Sequence, residues 1–156
     1  MLRKLPKQKL FKLLSYWPPF LGAGIKVTHV SDSFDTIEVE MKLSRLNKNY
    51  VGTHFGGSLY SMCDPFYMLM LIQLLGPKYI VWDKAAAIRF KKPGRGTVKA
   101  RFHIPLNKVD EIRKAADSNP KVEPEFLVHV IDHEGTIIAE VTKLLYVKKS
   151  DSRERR

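Results

Sequence analysis

Cysteine is almost missing: Cys63 stands alone in 156 residues. That excludes an intrachain disulfide, and no Cys/His pair shows the spacing of a zinc site. Long apolar runs are missing as well. The longest, residues 65–75, includes Gln73 and falls far short of the roughly 20 residues a membrane helix needs, so it reads as a core segment. The opening carries Arg3, Lys4, Lys7, Lys9 and Lys12, but the apolar stretch behind them is short and broken by Pro18 and Pro19, unlike the apolar region of a secretory signal. The expectation is a mature protein in a reducing, cytoplasmic setting. Internal repeats and low-complexity segments are absent too.

What is present suffices for one compact core. A chain of 156 residues with 44% apolar content fits a single domain that folds without disulfides or metals. The expected layout is one domain over 1–156: an N-terminal helix about 8–17, a core about 24–147 and a basic tail 148–156. The formal charge of +11 sits mostly at the ends, with +5 in residues 1–12, +3 in 148–156 and only +3 in the body between them. Terminal Lys and Arg runs are usually solvated tails, so nucleic acid is an unfavoured partner. The internal segment 84–101 is different. Lys84, Arg89, Lys91, Lys92, Arg95, Lys99 and Arg101 lie there with no acid among them, which suggests an anionic ligand.

Periodicity supplies the elements. Leu10, Leu13, Leu14 and Trp17 have helical spacing and predict a short amphipathic helix stopped by Pro18 and Pro19. Residues 36–43 alternate strictly, with Ile37, Val39, Met41 and Leu43 on one face, the pattern of a half-buried strand; residues 25–30 are its hairpin partner. After a turn-rich loop, 44–57, the chain is apolar on nearly every side to Leu75 and reads as one buried helix. Strands are expected over 79–92, 96–104, 125–131 and 136–147, with a helix near 109–116 and a tight turn at Asp132-His133-Glu134-Gly135. A helix apolar all round needs a sheet curled about it, and a second subunit to cover the rest. The expected class is α+β.

The informative stretch is Asn49-Tyr50-Val51-Gly52-Thr53-His54-Phe55-Gly56-Gly57, followed seven residues later by Asp64. With the element order over about 9–149, Asn-x-x-Gly-x-x-x-Gly-Gly and the downstream Asp resemble the hotdog-fold thioesterases related to the phenylacetate-pathway enzymes. The nearest resemblance is to an uncharacterised branch regarded as tetrameric acyl-CoA thioesterases, in which Gly-Thr-x-Phe-Gly-Gly recurs. In the better-understood relatives a histidine directly precedes the glycine pair; here Phe55 holds that place and His54 stands one position earlier. The resemblance implies a curled antiparallel sheet around a long central helix, a homodimer or homotetramer, no metal, no cofactor, and hydrolysis of an acyl-CoA thioester.

Each residue has a bland reading beside the chemical one. Gly56 and Gly57 would leave the first amides of a helix open to a thioester carbonyl, or merely permit close packing. Asp64 lies among Met62, Cys63, Phe66 and Tyr67, where a carboxylate needs a partner or a raised pKa. It is a candidate base or nucleophile, with Pro65 then kinking a helix that began near Gly57, or the N-cap of a helix starting at Pro65. Asn49 would hold the loop or the substrate carbonyl, and His54 would be a second acid/base group or a hydrogen-bonded loop residue. Cys63 reads as a core thiol. Phe55 and Thr53 are assigned to substrate contact, and Arg89, Lys91, Lys92 and Arg95 to the phosphates of CoA, against the alternative of a charged strand edge. Gly57 and Asp64 are about 10 Å apart along one helix, so the site is expected to be shared between subunits. Rival readings are a non-catalytic acyl or lipid binder on the same fold, and an adaptor that binds nucleic acid or anionic surfaces through its basic tails.

Overall fold

The computed structural model describes residues 7–150; Arg3, Lys4 and the last part of the basic tail, 151–156, lie outside the described residues. In chain order the elements are α1 (Lys7–Leu13), a 3-10 turn (Leu14–Tyr16), α2 (Pro18–Ala23), β1 (Ile25–Val30), β2 (Thr36–Lys42), α3 (Gly56–Ser61), α4 (Phe66–Leu75), β3 (Tyr79–Phe90), β4 (Thr97–His103), α5 (Leu106–Ser118), β5 (Glu125–Ile131) and β6 (Ile137–Lys149). Six strands form one antiparallel sheet in the order β1-β2-β4-β5-β6-β3. It curls about α3 and α4, which gives the hotdog fold.

The N-terminal helical segment ends at Tyr16, with Trp17 extended before Pro18 and Pro19; the prolines then open a further helix, α2, at positions where a missing N–H costs nothing. The long central helix is interrupted where Pro65 is expected to kink it. Pro65 has no N–H to give to Ser61, so the helix breaks over residues 62–65, with Cys63 N donating to Tyr60 O and Asp64 N to Ser61 O. The helix near 109–116 is longer at both ends, Leu106–Ser118.

An aromatic file locks the helix to the sheet. Phe66 packs on Phe20 and Phe102 with ring centres 5.9 and 4.9 Å apart, and Tyr67 stacks on Phe126 at 4.7 Å. Phe20, Phe66 and Phe102 are fully buried, worth on the order of 1.5–3 kcal/mol each in apolar burial. Pairing between β4 and β5 covers only Lys99–Ile131 and Ala100–Val130. Beyond that seam the Tyr67 hydroxyl donates to the Leu127 carbonyl at 2.9 Å, serving a backbone group the sheet does not.

Candidate active site

The loop before α3 is tied down at both ends. His54 N donates to Gly94 O and Phe55 N to Asn47 O, while the buried Asn47 side chain accepts from Ser44 N and donates to Ala23 O and Lys42 O. Asn49 works inside the loop. Its Oδ1 accepts from Val51 N and Thr53 N, and its Nδ2 donates to Thr53 Oγ1 and His54 O. Its polar atoms are therefore engaged in holding the turn, the structural alternative of its two readings.

His54 is buried, and its Nε2 lies 3.0 Å from the Gly96 carbonyl. Because a carbonyl only accepts, Nε2 carries the proton and Nδ1 is an acceptor; no partner for Nδ1 exists among the described residues. Burial holds the ring's pKa below its usual value, although the bond to Gly96 opposes this. His54 is thus a neutral group fixed to the β3–β4 connection.

The glycine pair opens α3, where the first two amides have no intrahelical acceptor. Each glycine lies under a phenyl ring. A Cβ on Gly56 would come within 2.8 Å of Phe90 Cζ, and one on Gly57 would fall on the Phe55 ring. The need for glycine here comes at least partly from two half-exposed rings, Phe55 and Phe90, lying over the helix start.

Beside that start is a cleft of about 660 Å³, lined by Asn49, Thr53, His54, Gly56 and Leu59 on one side and Phe90, Lys91, Lys92 and Arg95 on the other. Lys91 and Lys92 are fixed by backbone bonds to Ile138 O. Lys91 meets Glu140 at 3.4 Å, whereas Lys92 and Arg95 have no carboxylate partner among the described residues. Arg89, Phe55 and Gly57 are not among the lining residues.

Asp64 is not in this cleft. It stands at the break between α3 and α4, where its Oδ1 accepts from the Tyr60 hydroxyl at 2.7 Å and from Lys143 Nζ at 2.8 Å. Burial alone would raise its pKa, but the bonds from Lys143 and Tyr60 outweigh this and hold it below the usual carboxylate range. Its side chain is 48% exposed. It does not cap α4 through a side-chain bond, so the cap reading is set aside. Cys63, next to it, is buried, and burial pushes its thiol well up; it is a core thiol. Lys143, Tyr60 and Asp83 went unremarked in the sequence. One signal for Lys143 was there: it shares the inward register of β6 with Val141, Leu145 and Val147. Among the described residues no group of three or more His, Cys, Asp or Glu is placed to hold a metal.

Known proteins share this architecture. A family model described as a domain of unknown function, DUF4442, matches residues 7–147. A Pseudomonas aeruginosa protein of unknown function, given as a probable thioesterase, superposes with a TM-score of 0.81 at 17% identity, over 94% of this chain and 97% of that one. A protein of unknown function from Chlorobaculum tepidum gives 0.72 at 16% identity, over 91% and 94%. A thioesterase from Haemophilus influenzae gives 0.67 at 14% identity, over 94% of each chain. At these identities the likeness is one of fold. No curated protein matches the chain by sequence.

Proposed function

Because the chain belongs to the DUF4442 family and has the hotdog fold, we propose that it hydrolyses an acyl-CoA thioester to the free acid and CoA. The observation that carries this reading is the cleft, which brings Gly56 and the apolar Leu59 and Phe90 together with Lys91, Lys92 and Arg95. A molecule that joins a polarisable carbonyl to phosphates suits such a lining. Thr53 lines the same cleft, Phe55 lies against Gly57 at the helix start, and Arg89 adds to the positive field from outside the cleft.

In the proposed chemistry the glycine amides polarise the thioester carbonyl. Water attacks with Asp64 accepting its proton, or Asp64 attacks first and water releases the acyl group. The new C–O bond replaces the C–S bond, and the proton ends on the sulfur of CoA. A carboxylate held below its usual range is ionised at neutral pH, the form both routes require.

A second reading, an acyl binder without turnover, is favoured by one observation: phenyl rings lie over both glycines. The nucleic-acid adaptor reading rests on the basic tails, which lie partly outside the described residues; within 84–101, Lys84 and Arg101 meet Glu123 and Glu38, and Lys91, Lys92 and Arg95 line the cleft. Substrate class is tested by replacing Lys91, Lys92 and Arg95 together with Ala. KM for an acyl-CoA is expected to rise about tenfold or more, with that for a short pantetheine thioester unchanged. Equal effects on both substrates, or turnover of neither by the unaltered protein, contradict the proposal.

A further inference from the structure

Lys143 has no part in the chemistry just described, yet it is the most deeply set charge among the described residues: its side chain is 0% exposed. It replaces an apolar residue in the inward register of β6, between Val141 and Leu145, both 0% exposed. An ammonium at that depth persists only when paired. Its Nζ lies 2.8 Å from Asp64 Oδ1, 3.0 Å from Asp83 Oδ1 and 3.3 Å from the Tyr60 hydroxyl. Four places in the fold converge on it: Tyr60 on α3, Asp64 at the helix break, Asp83 on β3, and β6 itself.

The partners are not equivalent. Asp83 Oδ1 is close but outside hydrogen-bonding alignment, so it supplies charge contact more than a directed bond. At Asp64 both donors, Lys143 and Tyr60, address the same oxygen, Oδ1. Oδ2 accepts no bond from the described residues, and the half-exposed carboxylate therefore has one oxygen gripped from the core side and the other available outside.

We propose that Lys143 is a positioning residue for Asp64: through Oδ1 it keeps the carboxylate ionised and turned so that Oδ2 faces the reacting group. What Oδ2 meets rests on the thioesterase reading; the grip itself does not. One cation serving two carboxylates leaves a surplus negative charge, and Asp83 is the member that takes up the proton more readily. Burial pushes Asp83 up, only partly offset by Lys143, whereas Asp64 is held down. The remaining neighbours add no charge near neutrality. Burial and the bond to Asp64 push the Tyr60 phenol up, and burial keeps the Cys63 thiol protonated.

The test uses the full chain with 13C-labelled carboxylates, the Asp64 signal being identified by its loss in Asp64→Asn. In Lys143→Met, of similar length but uncharged, the Asp64 titration should move up by about one pH unit or more. The acid limb of kcat/KM on an acyl-CoA should move with it, kcat should fall about tenfold with KM little changed, and Lys143→Arg should recover part of both. An Asp64 titration that stays in place overturns the proposal. If Lys143→Met does not fold, the coupling is read from the other side: the Lys143 ammonium, followed by 15N, should titrate at lower pH in Asp64→Asn than in the unaltered chain, and no change overturns the proposal equally. A moved titration in a protein that releases thiol from no acyl-CoA leaves the grip standing and removes the thioesterase reading alone.

Discussion

His54 shows how single residues store a pH dependence. Its Nδ1 is a buried acceptor with no partner among the described residues, and burial keeps the folded pKa below the ordinary 6.5. A depressed pKa means the folded state resists the proton more than the unfolded one does. The stability tied to this group is therefore complete above pH 6.5 and is lost as pH falls from there through the lower folded pKa. Urea midpoints should fall between pH 7 and 5 more steeply for the unaltered protein than for His54→Gln; equal slopes would show that His54 titrates normally. The sequence named His54 as a candidate but could not say which way its ring nitrogens point. Lys143 shows the reverse case. Its inward register was readable from Val141, Leu145 and Val147, but the acids that neutralise it come from segments 79 and 60 residues away in sequence, and no local pattern announces such a meeting.

At the scale of elements, most strands were legible because β2, β4, β5 and β6 largely alternate against one buried face, whereas the edge strand β3 does not; β1 and β5 have the expected bounds, and the others differ by a few residues. Helix ends were less so. Pro-Pro after Trp17 carries two meanings, a stop for one helix and a start for the next, and both hold: the first segment ends at Tyr16, and α2 runs from Pro18 to the αL turn at Gly24. The break at residues 62–65 follows from Pro65. Its consequence for Asp64 does not, because a carboxylate at a helix break can turn to solvent, to the next helix or to the sheet. The sheet supplies the one deeply buried lysine among the described residues, and that settles the direction. The glycine pair was legible as a place of close approach, but the occupants are the Phe55 and Phe90 rings, one adjacent in sequence and the other at the end of β3.

At the scale of the whole molecule, the chain by itself is incomplete for its proposed chemistry, since the cleft at Gly56 and the carboxylate at Asp64 are separate places. β3 is an edge strand of 12 residues with Ala85, Ala86 and Ala87 exposed, and α4 leaves Ile72 uncovered, both surfaces a second copy would cover. A twofold axis would bring one chain's Asp64 to the other's cleft. Mixing Asp64→Asn with Gly57→Leu, each inactive alone, should then restore activity, because one site of each mixed dimer keeps both groups; subunit exchange without recovery contradicts a shared site. The central claim, hydrolysis of an acyl-CoA with Asp64 taking part, is tested most directly by thiol release across acyl-CoAs of graded chain length, comparing the unaltered protein with Asp64→Asn. The account predicts saturable release for a limited range of lengths, reduced about a hundredfold or more in Asp64→Asn with its circular dichroism unchanged. Release from none of the substrates, or equal release by both proteins, would contradict it.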